Sequence, residues 1–313
     1  MRREIIVRLV ARVATVLLAQ WGAVAGTARL AFAQQPTGAP PRAMTIRVVD
    51  STQVQVIRLR DGSSIVGRVT EAGSDTVRFA TSAGTLSIAR SEIVEVREVI
   101  ASALRRGEVW PANPNATRLL FSPTGRMLAR GEGYFNDTYV FVLSVHGGLT
   151  SRFTLGGGLS VLPLDDFSDN IAFIAPKFGV VASPKLNVAV GALAGFVGGL
   201  VDEGENASLG VVYAVATAGS PDASITLGTG FGYGGGSFSG SPAIMLGGET
   251  RLGRRVAFVT ENYLVPASDD NALISYGLRF FGEKLSADLA FWYIPGEDIS
   301  FPGIPFVAFS VKF

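Results

Sequence analysis

From Thr117 onward the apolar and polar positions of the chain alternate with period two, in segments of about ten to fourteen residues broken by glycines and short polar turns. A period of two places successive side chains on opposite faces, so each segment reads as a strand with one bulky face. In SITLGTGFGYGG, Ile225, Leu227, Thr229, Phe231 and Tyr233 share a face, and Ser224, Thr226, Gly228, Gly230, Gly232 and Gly234 share the other. In LNVAVGALAGF, Leu186, Val188, Val190, Ala192, Ala194 and Phe196 oppose Asn187, Ala189, Gly191, Leu193 and Gly195. Twelve segments are predicted, near 117–127, 137–149, 152–162, 172–183, 186–198, 207–219, 223–234, 242–252, 255–264, 272–281, 285–294 and 305–313. The first is interrupted by Pro123, which cannot donate to a ladder.

The connections alternate in length. TS, PK, PD, GR and GEK are tight turns, whereas LARGEGYFN, PLDDFSDN, GLVDEGEN, GGSFSGS, VPASDDN and PGEDISFPG are long. Such sorting, with both ends on the short-turn side, is the layout of an even-numbered membrane barrel. The faces agree, because a soluble core turns its bulky face inward and wets the other, yet here the second face is mostly glycine and small polar residues. The predicted fold is all-β, a twelve-stranded antiparallel transmembrane β-barrel over residues 117–313 preceded by a small five-stranded β-barrel.

That small unit is predicted at residues 45–99, where TQVQVIRLR, SSIVGRVT, DTVRFAT, GTLSIAR and EIVEVREV are short strands punctuated by Asp61-Gly62, Ala72-Gly73-Ser74 and Ser82-Ala83-Gly84. The run from Ile57 to Gly67, with Asp61-Gly62 followed five residues later by Gly67, resembles the Sm-like and SH3-like small barrels. The resemblance implies the fold and not RNA binding. Arg58, Arg60, Arg68, Arg78, Arg90 and Arg97 read as a solvated basic surface. Residues 34–44 and 100–116 are linkers, the first rich in proline and glycine.

Residues 1–33 read as a signal peptide: Arg2, Arg3, Arg8 and Arg12, then an apolar stretch over 13–25, then Ala31-Phe32-Ala33 before Gln34. Composition sharpens the picture, since 38 glycines, 48% hydrophobic and 17% charged residues, and a mean hydropathy of +0.35 are too apolar for an ordinary secreted domain. There is no cysteine, which excludes a disulfide scaffold, a thiolate site and a lipidated cysteine. A net charge of +1 gives no argument for nucleic acid. The chain closes on IPFVAFSVKF, where Val307, Phe309, Val311 and Phe313 alternate with Ala308, Ser310 and Lys312. This resembles the C-terminal signal of bacterial outer-membrane barrels, which implies recognition by the barrel-assembly machinery. The expected location is the outer membrane, with lipid around the barrel, the small unit in the periplasm and a periplasmic partner possible for it.

Candidate chemistry is sparse. Lys177, Glu249, Arg251, Glu261, Arg279, Asp288 and Lys312 fall on predicted inward faces. They read as an interior ion-pair ladder or a charged pore lining, since Arg or Lys facing lipid at the midplane costs about 2 to 4 kcal/mol. Ser144 and His146, the one histidine, share a strand face as Ser-x-His, the raw material of a serine hydrolase without a recognisable oxyanion motif. Asp165, Asp166 and Asp169, then Asp202, Glu203 and Glu205, then Asp269 and Asp270 are acidic loop clusters whose default is solvation, and no metal or cofactor is expected. Two classes remain. The first is a non-enzymatic barrel, either a narrow channel or a structural barrel displaying a small module; the alternative is a membrane hydrolase acting on lipid or lipopolysaccharide through Ser144 and His146.

Overall fold

The structure, a computed structural model, describes residues 46–105, 108–161, 170–197, 207–266 and 272–313. The predicted signal peptide, the first linker and the eight acidic loop residues named above lie outside the described residues.

The first element set is a five-stranded antiparallel sheet of β1 (Gln53–Leu59), β2 (Ser64–Ala72), β3 (Thr76–Thr81), β4 (Gly84–Ala89) and β5 (Ile93–Ile100), in the order β4-β3-β2-β1-β5. Its core is Ile57, Val69, Val77, Phe79, Ile88 and Ile93, with Gln55 buried on the same face of β1 as Ile57 and accepting from Val69 N at 2.8 Å, while Val54 is buried on the opposite face of β1. Asp61-Gly62 makes the turn between β1 and β2, with Gly62 at φ 85° in the left-handed region that glycine enters without strain. Gly67 sits where β2 crosses close to β3, and a Cβ there would overlap the Ala80 carbonyl oxygen at 2.1 Å.

After a two-residue ladder of β6 (Leu104–Arg105) and β7 (Glu108–Val109), the second element set is a closed antiparallel barrel. Its twelve strands are β8 (Gly133–Thr138), β9 (Val142–Thr150), β10 (Phe153–Ser160), β11 (Ile171–Ala182), β12 (Leu186–Val197), β13 (Ala207–Ser220), β14 (Ala223–Gly234), β16 (Ala243–Gly253), β17 (Val256–Leu264), β18 (Ala272–Phe281), β19 (Leu285–Tyr293) and β20 (Ile304–Lys312). The short β15 (Ser237–Phe238) only extends the end of β14. Each strand pairs with the next, and β20 pairs with β8 from Ala308↔Thr138 to Lys312↔Tyr134, which closes the ring. Closure removes both sheet edges and satisfies every ladder within the wall, the condition for a sheet to sit in lipid.

The predicted twelve strands and the observed twelve are not the same set. Thr117–Met127 is no strand; it bends on itself, with Thr124 N donating to Thr117 O at 3.0 Å and Leu119 N to Ser122 O at 2.8 Å. The missing strand comes mostly from the predicted long connection LARGEGYFN, whose Gly133–Asn136 begin β8; a turn at Tyr139-Val140 then separates β8 from β9, which carries most of the predicted second segment. Phe141 N donates to Thr138 O across that turn at 3.2 Å, with Tyr139 at φ 58° and Val140 at φ 69°. Such a turn normally carries Asn-Gly, so the sequence does not announce it.

Tight turns at 151–152, 183–185, 221–222, 254–255 and 282–284 gather at one end of the barrel, together with the start of β8 and the end of β20. The outer wall is apolar throughout its height: Ile174, Phe178, Val190, Phe196, Ile225, Leu227, Leu246 and Leu289 all stand exposed on it. Inward positions are small or polar, including Thr217, Thr226, Ser275, Ser286 and Ser310, all buried. Among the described residues no helix is long and apolar enough to cross a membrane.

The plugged lumen as candidate functional site

A barrel of eight strands fills its interior with wall side chains, and one of sixteen leaves a channel. Twelve strands with glycine-rich inner faces leave room, and here residues 111–132 occupy it. Leu119 and Leu120 are buried in a cluster with Ala189, Val215, Met245, Val259, Ala290, Phe306 and Ala308 of the wall, and Met127 packs against them. Two wall glycines give the segment its space. A Cβ on Gly247 would lie 2.5 Å from Leu119 Cδ1, and one on Gly179 would lie 2.7 Å from Met127 Cγ.

The polar half of the lumen holds the segment ionically. Arg279 of β18, fully buried, donates Nε and Nη2 to both oxygens of Asp288 on β19 at 2.7 and 3.0 Å, and Nη1 to Glu249 of β16 at 2.8 Å. It also donates to the segment's carbonyls, Asn115 and Arg118 from Nη1 and Leu119 from Nη2, the last at 2.6 Å. Arg118 of the segment answers by donating to Asp288 Oδ2 at 3.1 Å. Asn113 donates to Glu249 Oε1 at 2.5 Å. Glu261 of β17 accepts from the backbone N–H groups of Phe121 and Ser122, at 3.0 and 3.1 Å, as well as from Tyr263 Oη. Lys177 of β11 donates only to carbonyl oxygens of the segment, Thr117, Thr124 and Arg126, the last at 2.7 Å. Arg126 reaches Ser224 Oγ and Gly219 O. Burying these charges is costly, and the network offsets it by hydrogen-bonding each ionised group, although the buried Thr117 Oγ1 of the segment has no partner.

At the short-turn mouth the entry of the segment is clamped. The guanidinium groups of Arg105 and Arg251 both pack on Trp110, each 4.9 Å from its ring centroid, and Arg251 also covers Phe281 at 4.5 Å. Asp222, in the β13–β14 turn, pairs with both arginines. Lys312 pairs with Glu132 at 3.0 Å, just before β8. Arg97 of β5 pairs with Glu283 of the β18–β19 turn.

The seven charged residues predicted on inward faces are therefore placed together, Lys177, Glu249, Glu261, Arg279 and Asp288 around the segment and Arg251 and Lys312 near the mouth. Arg118, Arg126, Asn113 and Asn115 complete the network, and sequence reasoning missed them as partners. The signal was present in Arg118, Arg126 and Pro123, awkward in a membrane strand but ordinary in a bent polar segment.

Ser144 is buried on the inner face of β9, but no hydrogen bond joins it to His146. The His146 ring instead stacks on Tyr134 at 4.7 Å and 15° and lies over Gly156. Among the described residues no carboxylate is hydrogen-bonded to the imidazole and no bond joins it to the hydroxyl, an arrangement that does not favour the hydrolase relay. Among the described residues no group of three or more His, Asp or Glu is placed to hold a metal ion. Val307, Phe309, Val311 and Phe313 line the outer face at the seam, where Phe313 and Gly133 exchange backbone hydrogen bonds of 2.9 and 3.1 Å.

No protein-family profile matches the chain, and no curated protein matches it. Among solved structures it is similar to a NanC porin at 8% identity over 58% of this chain and 97% of that one, with a TM-score of 0.37. It is also similar to OmpT, an outer membrane protein of Vibrio cholerae, at 10% identity over 85% of this chain and all of that one, with a TM-score of 0.31. A Rhodopseudomonas blastica porin mutant aligns at 11% identity over 83% of this chain and 97% of that one, with a TM-score of 0.30. Scores this low leave the functional argument to the geometry of the chain itself.

Proposed function

We propose that the chain is a non-enzymatic outer-membrane barrel, closed by its own residues 111–132, that anchors the small sheet at residues 53–100 on the periplasmic side. The observation that carries this is the occupied lumen: the segment's buried backbone and side chains are bound to five of the twelve strands by Lys177, Glu249, Glu261, Arg279 and Asp288. Of the two non-enzymatic readings, a structural barrel is favoured over a narrow channel, and the burial of Arg279, Leu119 and Leu120 within the lumen supports that choice. The strand order of the small sheet, a four-strand meander with β5 returning beside β1, supports the Sm-like or SH3-like reading of that unit. The signal peptide, delivery by the assembly machinery through Val307, Phe309, Val311 and Phe313, and a periplasmic partner for the small sheet belong to the same proposal.

Planar bilayer recording tests it. The full chain is expected to be electrically silent, and a chain lacking residues 113–127 is expected to conduct, provided that it still migrates as a folded barrel before boiling. Steady conductance by the full chain overturns the closed reading. Lipid hydrolysis lost in S144A or H146A overturns the non-enzymatic one.

A further inference from the structure

The charges at the two ends of the barrel are sorted by sign. The connections at the long-loop end, residues 139–141, 161–170, 198–206, 235–242, 265–271 and 294–303, hold ten Asp and Glu and no Lys or Arg. The five tight turns at the other end hold Arg152, Lys185, Arg254, Arg255 and Lys284 against two acids, Asp222 and Glu283. Both acids are already paired, Asp222 with Arg105 and Arg251 and Glu283 with Arg97. What the tight turns leave free is positive.

Arg152, Lys185, Arg255 and Lys284 are exposed, and among the described residues none of these side chains has a hydrogen-bond or ion-pair partner. They belong to four different turns, so they stand around the rim and not on one patch. Each is one to three residues from a large apolar side chain exposed on the outer wall, Leu149, Leu186, Leu252 and Leu285 respectively. The apolar band of the wall therefore ends where these cations begin, which is the level of the lipid phosphates at a bilayer surface. A solvated turn has no need of one sign, whereas a rim that meets anionic head groups gains from every added cation.

We infer that this rim binds anionic phospholipid head groups of the leaflet at the short-turn end, through Arg152, Lys185, Arg255 and Lys284. Their spacing around the ring, at the edge of the apolar wall, favours lipid over a soluble acidic partner, which a single compact patch would suit better. The inference goes beyond the structural role proposed above and rests on its barrel reading.

The test reconstitutes the full chain in vesicles of equal phosphatidylcholine and phosphatidylglycerol at low salt. The protein is then extracted into mild detergent, and the lipids that stay bound are counted by native mass spectrometry. The parent is expected to retain phosphatidylglycerol about threefold to fivefold over phosphatidylcholine, and to lose that preference in about 0.5 M NaCl. R152Q/K185Q/R255Q/K284Q is expected to retain the two lipids equally, and R152K/K185R/R255K/K284R to behave as the parent. A neutralised rim that keeps the preference overturns the proposal. So does a preference lost equally in R58Q/R78Q, which neutralises two arginines of the small sheet, since the effect would then be one of net charge. If the fully neutralised variant does not fold, K185Q/K284Q takes its place, with about half of the preference lost; an unchanged preference there overturns the proposal as well. No preference in the parent, while the protein still shifts its gel mobility on boiling, removes the lipid rim and leaves the barrel reading standing; without that shift both fail.

Discussion

Arg279 is the residue on which most of the lumen depends. Its five N–H donors serve two carboxylates, Asp288 on the adjacent β19 and Glu249 two strands away on β16, and three carbonyls of the inserted segment, a task that matches the rigid fork of a guanidinium and not the point charge of lysine. Removing one member of a buried ion pair leaves the other uncompensated, at about 3 to 5 kcal/mol. R279M is therefore expected to lower the urea midpoint of the folded barrel in micelles, and R279M/D288L to recover part of the loss. A double variant no better than the single one argues that the carbonyl bonds, not the carboxylates, set the cost. A smaller effect is expected at Asp61, where hydrogen bonds from the Ser63 hydroxyl and then its N–H, at 2.6 and 2.8 Å, hold the carboxyl below its ordinary 3.8. A carboxyl lowered in the folded state stabilises it above the unfolded value and loses that contribution as pH falls through the folded one. NMR titration of S63A should move Asp61 back up toward 3.8, and an unchanged titration counts against this cause.

At the scale of elements, legibility follows from how local each cause is. Strand β14 was readable to the residue, and β11 to β20 nearly so, because bulky-out and small-in alternation is written along each strand by the lipid and lumen it separates. The short strands of the small sheet were equally plain, each bounded by its turn residues. Thr117–Met127 was misread because its partners, Glu261, Arg279 and Asp288, lie well over a hundred residues away and leave no local mark. The turn at Tyr139-Val140 escaped because a turn of that shape lacked its usual residues. The face assignment has a direct test in neighbouring positions of β14, where Leu227 stands out on the wall and Thr226 is buried within. L227R near mid-wall is expected to cost about 2 to 4 kcal/mol in a bilayer, whereas L227T should cost less. Equal folding of L227R and the parent in lipid vesicles contradicts a lipid-facing wall.

For the whole molecule, strand count, insertion and orientation are one problem. An even count puts the start of β8 and the end of β20 at the same end as the five tight turns, and the small sheet enters from that end through Trp110 and the Arg97–Glu283 pair. Barrels of this class keep their short turns in the periplasm and their long loops outside. A peptide tag inserted at Gly236, in the long connection between β14 and β16, is therefore expected to bind antibody on intact cells. A tag in the exposed turn between Ala83 and Gly84 of the small sheet should bind only after the outer membrane is permeabilised. The two positions test different steps, because an inverted barrel exchanges the two results, whereas a soluble secreted chain exposes both in the medium. Labelling of the Ala83 site on intact cells, with the Gly236 site protected, would leave the barrel standing and reverse its orientation. Recovery of the chain in the soluble periplasmic fraction would remove the membrane altogether, since a wall bearing Ile174, Phe178, Leu227 and Leu246 on its outside has no stable state in water without a partner to cover it.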